Sequence, residues 1–183
     1  MVRVTVTKKG AERLRVIHPK GGAGHLWVFN NEIKAVEGNY SNGDIVYVAD
    51  GKNRFIGKGY INDNSKIIIR LLSFRDEEID KGLFRKRIED ALSYRLSLGC
   101  HPSQAEDGSF RVVFSEGDLL PGLIVDKYEN ALCIQILTLG MEKWKEDIVD
   151  ILKGVFNPET IVERSDVDVR KKEGLQPKKG FLS

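Results

Sequence analysis

The sequence predicts an α+β protein in two parts, a small β barrel or sandwich followed by a β-β-α-β type module. Three observations predict it. The first 75 residues carry short stretches of alternating hydrophobicity separated by Gly, Asn and Asp turn formers. Near residue 76 the hydrophobic period changes to that of a helix. The charge changes at the same place. Residues 1–75 hold 13 Lys and Arg against 6 Asp and Glu, and residues 76–183 hold 16 against 21, which together give the chain its net +2. A basic segment beside an acidic remainder marks two modules, 1–75 and 76–183. It gives the first the field of a polyanion binder, the plainer alternative being a solvated surface rich in lysine.

In the first module, Val2-Arg-Val-Thr-Val-Thr7 alternates with period two, as a half-buried strand does. Leu14 to Ile17 is a second short strand candidate. Ile45 to Ala49 follows the turn formers Asn42-Gly43-Asp44. Arg54 to Ile61 is strand-like, and its Gly57 and Gly59 indicate a bulge or a close backbone approach. Ile67 to Phe74 closes the set. The acidic stretch Arg75-Asp76-Glu77-Glu78 reads as a linker.

In the second module, Leu83, Phe84, Ile88, Ala91, Leu92 and Leu96 fall on one helical face, with Asp80 as N-cap and Gly99 as the stop. Residues 101–109 read as a loop. Phe110 to Ser115 is a strand, and Leu123–Tyr128 pairs with Ala131–Leu139 as a hairpin across Glu129-Asn130. Met141, Trp144, Ile148, Ile151, Leu152 and Val155 trace one amphipathic helix, which Asn157-Pro158 ends. Thr160 to Glu163 is a further strand, and the tail from Asp168 is polar and short of core residues.

Composition excludes several classes. No apolar stretch is long enough for a transmembrane helix, so no membrane partner is expected. The N-terminus lacks the apolar core of a signal peptide. The two cysteines, Cys100 and Cys133, make neither a disulfide framework nor a zinc site, and a cytoplasmic location fits them.

Three segments go beyond pattern. The first is Gly24-His-Leu-Trp-Val-Phe29, with Gly43-Asp-Ile-Val46 and Gly57-Lys-Gly-Tyr60 after it. The second is Ser115-Glu-Gly-Asp-Leu-Leu-Pro-Gly-Leu-Ile-Val-Asp126, and the third is Glu163-Arg-Ser-Asp-Val-Asp-Val-Arg-Lys-Lys-Glu-Gly174. The first resembles a PUA domain, a pseudo-barrel that binds structured RNA. In this order the three resemble the rRNA large-subunit methyltransferase I family, which makes 5-methylcytosine in 23S rRNA with S-adenosylmethionine. The resemblance implies a PUA-like domain, a central module and a Rossmann-like catalytic domain, in that order. The chain matches the first two, and the Rossmann-like catalytic domain is expected to be absent.

This implies an RNA-binding portion that positions 23S rRNA. S-adenosylmethionine would serve the full-length enzyme, with no catalytic or cofactor-binding residue expected in this chain. Gly21-Gly-Ala-Gly24 lies in the β-rich module and opens no clear helix, so it is a poor cofactor loop. Cys133, among Leu132, Ile134 and Ile136, reads as an inert buried thiol, and Cys100 beside His101 is weak evidence for a nucleophile. The residues expected near RNA are Lys20, His25, Trp27, Lys58, Tyr60 and Arg70, with Arg164, Arg170 and Lys171 from the third motif. Against these stand plainer readings: Trp27 as barrel core, Glu116 to Gly122 as a structural turn, and the charges from Arg164 to Lys172 as an internal ion-pair network. Two rival functions remain, a stand-alone RNA-binding or ribosome-assembly module and a protein-interaction domain. The resemblance also places the central module's last strand after Gly180. An uncovered strand edge, a homo-oligomer formed through it, or a disordered tail is therefore expected.

Overall fold

The computed structural model describes residues 1–15, 24–99 and 108–182. They form two compact units, Met1–Ile79 and Asp80–Ser183. No described helix is long and apolar enough to cross a membrane.

The first unit contains β1 (Val2–Val6), α1 (Lys8–Arg15), β2 (Trp27–Phe29), β3 (Ile33–Glu37), β4 (Ile45–Ala49), β5 (Phe55–Ile61) and β6 (Ile67–Ser73). Its strands form one sheet in the order β2-β6-β5-β4-β1-β3. β1 runs parallel to β4 and the other neighbours are antiparallel. Alternation decides what is inside: Val4 and Val6, Val46 and Val48, and Ile69 and Leu71 point to one face and form the core with Leu14, Val28 and Ile61.

Two features of this unit bear on the sequence reading. Leu14 and Arg15 belong to the last turn of α1, not to a strand, and Val16 and Ile17 lie outside the described residues. The helix forms because Gly10, Ala11 and Leu14 share a buried face while Lys8, Lys9, Glu12 and Arg15 face solvent. Gly59 marks a close approach, as expected. A Cβ there would stand 2.1 Å from the Arg70 carbonyl oxygen, beside a register shift between Lys58 and Gly59.

The second unit contains α2 (Lys81–Ser97), β7 (Phe110–Phe114), β8 (Leu123–Tyr128), β9 (Ala131–Ile136), α3 (Leu139–Lys143), α4 (Lys145–Phe156), β10 (Thr160–Ser165), α5 (Val169–Lys172) and β11 (Lys178–Phe181). Asp80 caps α2 by accepting the Leu83 N–H at 2.8 Å, and Gly99 follows its end with φ +87°. The single helix expected over Met141–Val155 is divided at Trp144, whose ring lies 4.7 Å from that of Phe84 on α2.

The expected β-β-α-β module is corrected to a five-stranded sheet, β11-β10-β9-β8-β7. β7, β8 and β9 form an antiparallel meander. β9 then runs through α3 and α4 to β10, which lies parallel beside it. The tail does not leave β10 as an open edge. β11 pairs with it antiparallel, Glu163 facing Gly180 and Arg164 facing Lys179.

Candidate nucleic-acid interface

β2 places its side chains by strand alternation. Leu26 and Val28 are buried, while His25, Trp27 and Phe29 lie on the opposite face, exposed or half-buried. The three residues make a row by strand position, and their rings close into a compact triangle. His25 and Trp27 meet edge to face at 5.3 Å, Trp27 and Phe29 edge to face at 6.3 Å, and His25 and Phe29 lie 6.3 Å apart.

Arg13 of α1 fixes this row. Its guanidinium grips Glu32 through two hydrogen bonds, one of 2.7 Å, donates to the Trp27 carbonyl and lies 5.1 Å from the Phe29 ring centre. Glu32 in turn accepts the Phe29 N–H at 2.9 Å. Burial pushes the Glu32 pKa up, but the hydrogen bonds from Arg13 and Phe29 outweigh it and the net shift is downward. Arg13 is thus neutralised and serves to position the rings. An open groove of about 770 Å³ runs alongside, where Lys9 and Lys66 supply positive charge and Asn30, Asn31 and Asn64 supply amides. Chemically, this is a preset aromatic surface beside a polar groove. It suits stacking on unpaired bases with phosphates held nearby.

The residues expected near RNA divide sharply. His25 and Trp27 are brought together, and Phe29 completes their row, a residue whose alternate spacing was visible in the sequence. Trp27 is half-buried and not barrel core. Lys20 lies outside the described residues. Lys58, Tyr60 and Arg70 are corrected, because all three are buried and offer a phosphate no surface. Lys58 instead ties down the segment after β6, pairing with Asp76 at 2.7 Å and donating to the Glu77 carbonyl at 2.9 Å. Arg70 pairs across the sheet with Trp27 on one side and Tyr60 on the other.

In the second unit, Arg170 is also corrected. It is 1% exposed, donates to the carbonyls of Ile136 and Gln176, and pairs with Glu142 at 2.9 Å. Arg164 and Lys171 are exposed and engage Asp166 at 3.2 Å and Asp168 at 2.8 Å. The internal ion-pair reading therefore describes this motif. In the turn after β7, Arg95 clasps Asp118 at 2.5 and 2.7 Å. Gly122 takes φ +86° where a Cβ would stand 2.3 Å from the Thr138 hydroxyl. Burial, and then Asp126, push the Cys133 thiol pKa up, which makes it a poor nucleophile. Cys100 lies outside the described residues.

Residues 4–74 match the PUA-like domain family. The first unit thus contains a PUA-like domain. The chain is 40% identical over 159 residues to ribosomal RNA large subunit methyltransferase I of Alteromonas mediterranea, and 38% identical over 160 residues to that of Vibrio vulnificus. Each match takes in 86% of this chain, which spans 39% of the length of these relatives. The chain is related to the rRNA large-subunit methyltransferase I family, the resemblance carried by its motifs.

A SAM-dependent methyltransferase from Streptococcus mutans covers 100% of the chain at TM-score 0.76 and 14% identity, with 43% of its own length matched. A methyltransferase complexed with SAH covers 90% at TM-score 0.72, also at 14% identity, with 40% of its length matched. These likenesses correct the expectation that the Rossmann-like methyltransferase fold is absent, since both units have counterparts inside methyltransferase chains. That expectation rested on a missing glycine-rich loop, which is one motif. A fold is defined by topology, and the parallel β9–α3–α4–β10 crossover was not read from the sequence.

Proposed function

We propose that this chain is the RNA-recognition part of an rRNA large-subunit methyltransferase of the cytoplasm. It holds 23S rRNA so that a cytosine is presented for methylation at carbon 5. The observation that carries this reading is the 40% identity to an rRNA methyltransferase across 86% of the chain. The His25–Trp27–Phe29 row gives recognition a place within the PUA-like unit.

Recognition would work by stacking and charge. A base freed from the RNA helix lies against the row, and Lys9 and Lys66 hold flanking phosphates in the groove. Because Arg13 and Glu32 already fix the rings, little side-chain freedom is lost on binding. S-adenosylmethionine would supply the methyl group.

Crosslinking the chain to RNA in cells and sequencing the captured fragments tests the proposal. Enrichment of 23S rRNA is expected. Capture of other RNAs without 23S rRNA would favour a stand-alone RNA-binding module, and capture of none would overturn RNA recognition.

A further inference from the structure

The first unit carries a second basic concavity, built from other residues than the groove beside β2. It is a pocket of about 370 Å³. Val6 and Ala11, both buried, give it an apolar floor. Around it stand Lys8 and Arg15 of α1, Lys34 of β3, and Lys52 and Arg54 of the β4–β5 turn, against the two carboxylates of Glu12 and Asp50.

Asp50 acts as the frame of the pocket more than as a countercharge. Its carboxylate is buried and accepts the N–H groups of Lys52 and Arg54, each at 2.9 Å. It also binds the Arg54 guanidinium at 2.8 Å and lies 3.2 Å from that of Arg15. The Arg54 N–H leads the interactions that hold its pKa down to about 2, so the frame stays charged at neutral pH. Arg15 also donates to the carbonyls of Arg54 and Phe55, at 3.3 and 3.2 Å, which staples the turn to the helix. Glu12 stands at the mouth, exposed and 3.9 Å from Lys8, where it screens little. Five cations against two carboxylates, around an apolar floor of ligand size, match a phosphorylated nucleotide better than an acidic peptide, because the floor takes a sugar or base edge while the rim takes the phosphate.

We infer that this pocket seats one nucleotide, its phosphate held between Lys34, Lys52 and Arg54. The source is an RNA strand that also crosses the β2 row. That source rests on the RNA-recognition reading, whereas the chemistry of the pocket does not. A free nucleotide carries the same chemistry, and the experiment separates the two.

The intact chain and its Lys34→Glu/Lys52→Glu variant are titrated with a labelled single-stranded RNA at several salt concentrations, and separately with CMP followed by amide chemical shifts. Both lysines are exposed, so the variant should fold, and a thermal melt checks this. The expected result is roughly tenfold weaker RNA binding by the variant. The salt slope should be smaller by about 0.7 to 0.9 for each phosphate that the variant leaves unneutralised. CMP should shift the amides of the Asp50–Arg54 turn in the wild type alone. If the wild type binds RNA and the variant matches it in affinity and slope, the pocket proposal is overturned while RNA recognition stands. If RNA does not bind but CMP shifts the turn, the pocket stands with a free nucleotide as its ligand and the RNA reading fails. Binding of neither removes both.

Discussion

Glu142 shows how one carboxylate can order a tail that looks disordered in sequence. It receives Lys145 at 3.1 Å, Lys178 at 2.6 Å and Arg170 at 2.9 Å, so three segments close on it. Burial raises its pKa, but the hydrogen bonds from Lys178, Arg170 and Lys145 hold it down to about 2, against an ordinary 4.5. The folded group thus binds its proton more weakly than the unfolded one. Its contribution to stability is full above about pH 4.5 and is lost as pH falls toward 2. Thermal melts across that range should fall less steeply for Glu142→Gln than for the wild type, and parallel curves would contradict the linkage. Arg170→Ala should cost about 2–5 kcal/mol, measured by urea unfolding, because it empties a fully buried site and strips the Ile136 and Gln176 carbonyls of their donor, while Glu142 keeps Lys145 and Lys178. Neither role was legible in the motif. Arg170 reads as one cation among several, and the partners that hold it, Ile136, Glu142 and Gln176, come together in the fold.

Elements differ in how openly the sequence declares them. α2 was legible because its cap, its apolar face and its glycine stop all agree. α1 was not, since it is short, holds Gly10 mid-helix and shows only three buried positions. β11 was hidden for a different reason. Lys178-Lys-Gly-Phe181 has no apolar alternation, and its place in the sheet comes from backbone pairing with β10. Lysines on such an outer strand also oppose pairing with another molecule. On β5 the two glycines are needed for close packing, not for flexibility. Gly59→Ala should lower stability by roughly 1–3 kcal/mol or more, because its methyl would meet backbone that cannot yield. Gly51→Ala, with nothing within 4 Å of its Cβ, should stay within about 0.5 kcal/mol of wild type. Equal losses at both positions in a chemical denaturation series would contradict the close approach.

At the scale of the molecule, the charge asymmetry marks the first unit as a candidate polyanion binder, and residues 4–74 of that unit match a PUA-like domain. It did not say which residues face the ligand. Lys58 and Tyr60 on glycine-bearing β5, and Arg70 on its neighbour β6, look like surface residues in sequence but are buried. His25, Trp27 and Phe29 remain accessible because β2 is only three residues long and lies at the end of its sheet. We propose that this row recognises RNA. Its most direct test is the affinity of the intact chain for a 23S rRNA fragment, by fluorescence anisotropy at fixed salt, for wild type, His25→Ala and Trp27→Ala, with melting curves to confirm folding. Stacking is worth about 1–3 kcal/mol per base, so each variant should bind roughly five- to 150-fold more weakly. Folded variants with unchanged affinity would contradict recognition at β2.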